Sequence, residues 1–259
     1  MTTMDPAVRR YLADLVTSAR DVLGPELVGA YAAGSVALGA YRPGRSDVDV
    51  ALVCRGPLPR RTSQALVDRL RHETLPCPAR GLELVTYSRE VAASGTPEPG
   101  FEVELNTGAR MSSRVTFTPA DRPAADGHFW YGLDRSILHQ RGLPLAGPPA
   151  GEVFAELAPG DLRQLLVAAL RWWLARPAPP GDGPTPGVED AVLAACRALV
   201  RIRDGAWLSK AAAGHRVIAL GREPELLRRC VRARDGGPPP TAAEARAFQQ
   251  QILADITAG

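Results

Sequence analysis

Apolar side chains at Val8, Leu12, Leu15, Val16 and Val22 recur at the spacing of one helix face, and Asp5-Pro6 supplies a start signal. Residues 5–22 therefore predict a helix, which Gly24-Pro25 ends. The period then shortens. Residues 27–33 and 47–53 are short apolar runs that predict two strands, with a turn at Gly34-Ser35 and a short helix over 36–41 between them. A helix over 61–74, stopped by Pro76 and Pro78, leads to a third strand over 80–88. Residues 89–100, rich in Pro, Gly and Ser, predict a loop. Phe101, Val103 and Leu105 alternate with Glu102, Glu104 and Asn106, which predicts a strand with one polar face, and 114–118 suits a further strand. Residues 121–126 predict a loop and 128–141 a helix, and the Pro-rich 142–151, GLPLAGPPAG, predicts a domain boundary.

Beyond that boundary only helical periodicity remains, over 162–176, 190–204, 209–220, 224–234 and 242–256, broken by PAPPGDGPTPG and DGGPPP. The expected architecture is an α/β (α+β) domain with a mixed sheet over 1–150, followed by an all-α helical bundle over 151–259.

Composition narrows the partners. Hydrophobic residues at 45% and charged residues at 23% are ordinary for a globular chain of 259 residues. The formal charge of +3 permits an anionic ligand, and no Lys/Arg-rich run interleaved with aromatics marks a nucleic-acid groove. Lys210 is the only lysine; every other cation of this kind is arginine. A lysine kept in such a chain suits a compact point charge near phosphate. Cys54, Cys77, Cys196 and Cys230 form no C-x-x-C motif, and His72, His128, His139 and His215 lack metal spacing. These predict free thiols in a reducing cytoplasm and structural histidines. The first residues carry acids and no long apolar core, and no run of about 18 apolar residues occurs. A cytoplasmic monomer, away from membranes, is the expectation.

The chemistry gathers between residues 31 and 53. Alternate strand residues share a face, so Asp47 and Asp49 project together from an otherwise apolar run. Adjacent carboxylates repel unless water or a cation lies between them. Mg2+ fits, because it takes oxygen ligands and completes its shell with water and phosphates. Glu83 interrupts the apolar third strand at a cost that a role beside the two aspartates would explain. The Gly34-Ser35 turn opens a helix whose first N–H groups are available to phosphate. Together these residues predict phosphoryl transfer.

The pattern GS-x11-D-x-D followed by a third strand acid resembles the DNA polymerase beta-like nucleotidyltransferases. The order of domains, GLELVTYS around Glu83, LHQRGLPLAGPPAGEVF, and Arg197 followed by Lys210 are similar to the aminoglycoside 3''-adenylyltransferases, the streptomycin and spectinomycin resistance enzymes. The resemblance implies that Gly34 and Ser35 bind nucleotide phosphate, Asp47 and Asp49 hold Mg2+, and Glu83 is the catalytic base. It further implies that Arg197 and Lys210 bind ATP from the helical domain. The acceptor implied is a small cationic aminoglycoside or aminocyclitol, for which Glu102, Glu104, Glu189 and Asp190 are candidate ligands. The stretch NTGARMSS lacks the tryptophan of the family's streptomycin site, which points away from streptomycin. Transfer to a protein or RNA, and nucleotide binding without turnover, are the other readings of the same residues.

Overall fold

The computed structural model describes residues 4–177 and 183–258. Residues 178–182, inside the break predicted at PAPPGDGPTPG, lie outside the described residues. The chain divides into two compact units, Met1–Ala158 and Pro159–Gly259.

The first unit opens with α1 (Pro6–Leu23), whose Asp5 cap accepts hydrogen bonds from the Ala7 and Val8 amides at 2.8 and 3.3 Å. Gly24, at φ 52°, ends it. There follow β1 (Leu27–Ala32), the one-turn α2 (Gly34–Ala37), β2 (Val48–Cys54), α3 (Arg60–Leu70) and β3 (Leu82–Ser88). The unit continues through α4 (Arg89–Ala93), β4 (Phe101–Gly108), β5 (Met111–Thr116), α5 (Phe129–Arg141), β6 (Leu143–Ala146) and α6 (Ala150–Val153). The six strands form one sheet in the order β5-β4-β3-β2-β1-β6. Only β2 and β3 pair in parallel; the other neighbours are antiparallel. Parallel partners require a crossover, which α3 supplies.

Helices cover both faces of the sheet. On one, Leu12, Leu15 and Val16 of α1 and Leu66 and Leu70 of α3 bury Val48, Val50 and Leu52 of β2 and Leu82 and Leu84 of β3. On the other, Tyr131 and Leu138 of α5 and Val153 beside Phe154 cover Ala51, Val53 and Tyr87. The alternation of β2 thus places Asp49 on the α5 face, between Val48 at 0% and Val50 at 3% exposure on the opposite face.

Three expectations are corrected. Residues 142–151 are no boundary: Leu143–Ala146 hydrogen-bonds to β1 as an edge strand, so this segment belongs to the sheet and the division falls after Ala158. Residues 89–100 include α4, capped by the Ser88 hydroxyl accepting from the Val91 amide at 3.3 Å. Residues 121–126 include short 3-10 turns rather than featureless loop.

The second unit holds α7 (Pro159–Ala175), α8 (Val188–Asp204), α9 (Lys210–Ala219), α10 (Pro224–Ala233) and α11 (Ala242–Ala258). Helix α8 is its centre, packing on α9, α10 and α11, with Val192, Cys196, Val200, Val217, Leu227 and Ile252 all buried. All four cysteines are buried free thiols. Among the described residues no helix is long and apolar enough to cross a membrane.

Candidate active site

The parallel pairing of β2 with β3 sets Asp49 directly opposite Glu83. Opposed residues share a face, so the two carboxylates stand side by side on the α5 face of the sheet. Glu83 is opposed on its other side by Asn106 of β4, and Asn106 by Arg114 of β5. One row across the sheet therefore reads Asp49, Glu83, Asn106, Arg114. Asp47 lies just before β2 rather than within it, one residue from the Val48 amide that donates to the Gly81 carbonyl at 2.9 Å.

Arg80 joins the acids. Its guanidinium reaches Asp47 at 2.7 Å and Glu83 at 4.0 Å, which supplies part of the positive charge that neighbouring carboxylates require. Glu83 keeps 43% of its side-chain surface, yet the surrounding protein withdraws the carboxyl from bulk water. That burial, followed by the charges of Asp47, Asp134 and Glu104 and opposed by Arg80, pushes its pKa up to about 7. A carboxylate poised there suits a general base working near neutrality.

Gly34 sits against this group. Its φ of 51° is a left-handed conformation that favours glycine, and a Cβ there would collide with the Asp49 carboxylate. The Ala33 amide donates to the Asp49 carbonyl at 2.9 Å, so the start of α2 is tied to β2 at the metal-binding candidate itself. The neighbouring Ser35 hydroxyl is buried and has no hydrogen-bond partner among the described residues. A buried polar atom left in this state is costly, and a ligand oxygen would satisfy it.

Among the described residues no three His, Cys, Asp or Glu side chains already stand close enough to hold a metal ion. The donor set still fits Mg2+: Asp47 and Asp49 offer hard oxygens, and water and phosphate complete the shell of such an ion. The backbone of Gly34 packs directly against the Asp49 carboxylate, and the buried Ser35 hydroxyl next to it is an unsatisfied polar group beside these acids.

Two predicted acceptor ligands in this unit are already engaged. Glu104, 4% exposed, accepts from Arg122 at 2.8 Å, Arg114 at 3.0 Å and the Tyr131 hydroxyl at 3.0 Å. Its side chain holds β4, β5 and α5 together. Glu102 accepts from the Leu58 amide at 2.9 Å. Three of the four histidines make backbone contacts: His72 Nδ1 accepts from the Cys77 amide at 3.1 Å, and His128 and His139 pair with the Arg122 and Phe154 carbonyls at 2.8 and 2.6 Å.

In the second unit, Arg197 of α8 lies over the buried Trp207 ring, 5.3 Å from its centroid. Lys210 opens α9 after Ser209, whose hydroxyl accepts from the Ala212 amide at 3.2 Å. Its ammonium donates to Asp190 at 3.1 Å, and Arg234 binds the same carboxylate oxygen. Burial pulls the Lys210 pKa down, against the pull of Asp190, and the charges of Arg234 and Arg197 lower it further. Asp190 is thus held between two cations. Glu189, buried at 4%, accepts from the Gly187 amide at 2.8 Å.

Sequence reasoning gave no role to Arg80, Asn106 or Asp134. Arg80 was detectable as the cation three residues before the strand acid, and Asp134 as the single acid within the predicted 128–141 helix. Asn106 needed the strand register, which residue spacing does not contain.

No family model and no curated protein matches this chain. Among solved structures it is similar to the crystal structure of spectinomycin adenyltransferase AAD(9) from Enterococcus faecialis with ATP and spectinomycin, at 14% identity and a TM-score of 0.65. The likeness covers 96% of this chain and 98% of that one. The likeness shows the fold: like that adenyltransferase, the chain is a domain built on a mixed six-stranded sheet followed by a helical region.

Proposed function

We propose that this protein transfers AMP from ATP to a hydroxyl of a small cationic acceptor of the aminoglycoside or aminocyclitol class, with release of pyrophosphate. The observation that carries the reading is the Asp49–Glu83 pair, side by side across β2 and β3 with Gly34 packed against Asp49. The ATP and spectinomycin of the similar structure support the choice of donor and acceptor class.

Each residue then has a task. Ser35 and the first N–H groups of its turn hold phosphate oxygens. Asp47 and Asp49 would hold Mg2+, which when bound neutralises charge on the phosphates. Glu83, with its raised pKa, accepts the acceptor's hydroxyl proton. As the acceptor oxygen forms its bond to the α-phosphorus, the bond from that phosphorus to the pyrophosphate oxygen breaks, and pyrophosphate carries away the electron pair. Arg197 and Lys210 bind the nucleotide. Glu83 stands among further acids, with Asp49 beside it across the sheet and the charges of Asp47 and Asp134 acting on it. Such a group of negative charges attracts a polycation.

The test is incubation with ATP, Mg2+ and a panel of aminoglycosides and aminocyclitols, reading pyrophosphate and the mass of the acceptor. A gain of one AMP on a panel member is expected. ATP bound without any AMP on a small acceptor, or labelled AMP appearing on protein or RNA instead, overturns the reading.

A further inference from the structure

Asp47 carries two assignments that compete with each other. It is a proposed ligand of the divalent cation, and its carboxylate is already bound by the Arg80 guanidinium at 2.7 Å, with Glu83 4.0 Å from the same nitrogen. Both contacts come from a residue anchored in the backbone of the site. The Arg80 amide donates to the Ser46 carbonyl at 3.1 Å, and its own carbonyl accepts from the Arg110 amide at 3.2 Å, so its backbone is fixed beside Asp47 while its side chain stays 45% exposed.

From this geometry, and resting on the nucleotidyltransferase reading above, we propose that Arg80 is a built-in counter-ion that competes with the divalent cation for Asp47 and makes cation binding depend on the nucleotide. The free protein holds Arg80 between Asp47 and Glu83. A cation arriving alone must either displace the guanidinium from Asp47 or bind beside its positive charge. A cation arriving with a polyphosphate brings new oxygens for the displaced guanidinium, which is planar and suited to phosphate. The exchange is therefore unfavourable for the bare ion and supported for the nucleotide complex. Arg80 is in this sense a positioning residue: it keeps the acidic pair apart in charge until the nucleotide is present.

Mn2+ binding, read by the loss of its free electron paramagnetic resonance signal, tests this without turnover. With no nucleotide present, Arg80→Gln should bind Mn2+ about tenfold or more tightly than wild type, the size expected for removing one neighbouring positive charge. Arg80→Lys, which keeps the charge, should stay within about threefold of wild type. With a non-hydrolysable ATP analogue, and read against a protein-free control for the Mn2+ that the analogue itself chelates, the wild type should gain most of the lost affinity and Arg80→Gln little. A second measurement uses the unaltered protein: Mg2+ with the analogue should shift the Arg80 Nε–H resonance, and Mg2+ alone at the same concentration should not. Equal nucleotide-free Mn2+ affinity in wild type and Arg80→Gln, or an Arg80 resonance that moves with Mg2+ alone, overturns the competition while leaving the transfer reading intact. Failure of both proteins to bind Mn2+ even with the analogue overturns the metal assignment and the competition together.

Discussion

Asp49 of β2 and Glu83 of β3 are exact neighbours across the single parallel pairing of the sheet. A shift of one residue in that pairing would turn one of the two carboxylates to the opposite face, where Leu12, Leu15 and Leu66 form the core. The division of labour proposed for these acids follows from that register.

Asp49→Asn and Asp47→Asn should each lower AMP transfer by about a thousandfold or more, because charge neutralisation at phosphate accounts for much of such catalysis. Asp47→Asn gives up the ion pair with Arg80, which is exposed enough that the stability cost should stay within about 1 kcal/mol, so both proteins should remain folded. Steady-state kinetics beside thermal unfolding checks the pair.

Glu83→Gln should retain ATP-analogue binding and lose turnover, because it removes the base alone. It also has a pH signature in the metal-free protein. Glu83 has a folded-state pKa raised to about 7, so the stability that its protonated form allows is complete below the ordinary carboxylate range and is lost as pH rises through about 7. Glu83→Gln should therefore match wild type near pH 4 and exceed it at pH 8. Because the side chain is 43% exposed, solvent screening holds the gain to about 1 kcal/mol or less. Melting temperatures across pH 4 to about 8.5 would show the divergence, and a constant difference would remove the raised ionisation from the account.

Gly34→Ala should weaken nucleotide binding and turnover by at least about a hundredfold, since the new methyl group collides with the Asp49 carboxylate. Holding alanine at a φ of 51° should further cost about 1–2 kcal/mol of stability. Nucleotide titration with denaturant unfolding separates the two effects.

Glu104→Gln should act on stability first. It leaves Arg122, at 8% side-chain exposure, without its carboxylate, at a cost of about 3 kcal/mol. A stability loss that exceeds any change in acceptor KM would fit its place in the Arg122–Tyr131 network. A changed KM at unchanged stability would instead favour acceptor binding.

Much of this was legible along the chain because periodicity reports burial. The alternation around Phe101, Val103 and Leu105 and the helical spacing of Val8, Leu12 and Leu15 each mark a buried face, and these residues are buried. The expected boundary at 142–151 failed for the complementary reason. A strand as short as Leu143–Ala146, half-exposed at a sheet edge, has too few apolar positions to show a period, and its prolines and glycines read as a break.

What the sequence by itself determined was the identity and order of the acids, the glycine-serine turn before them and the change from mixed to helical structure, since composition and short-range spacing contain all of these. Tertiary structure decided the rest. Strand register put Asp49 opposite Glu83, packing of α5 brought Asp134 to Glu83, and folding delivered Arg80 to Asp47, 33 residues away in the chain. Electrostatic interaction depends on distance through space, and separation along the chain does not specify that distance. The acids were visible from the start, whereas the charge balance among them exists only once the sheet has formed.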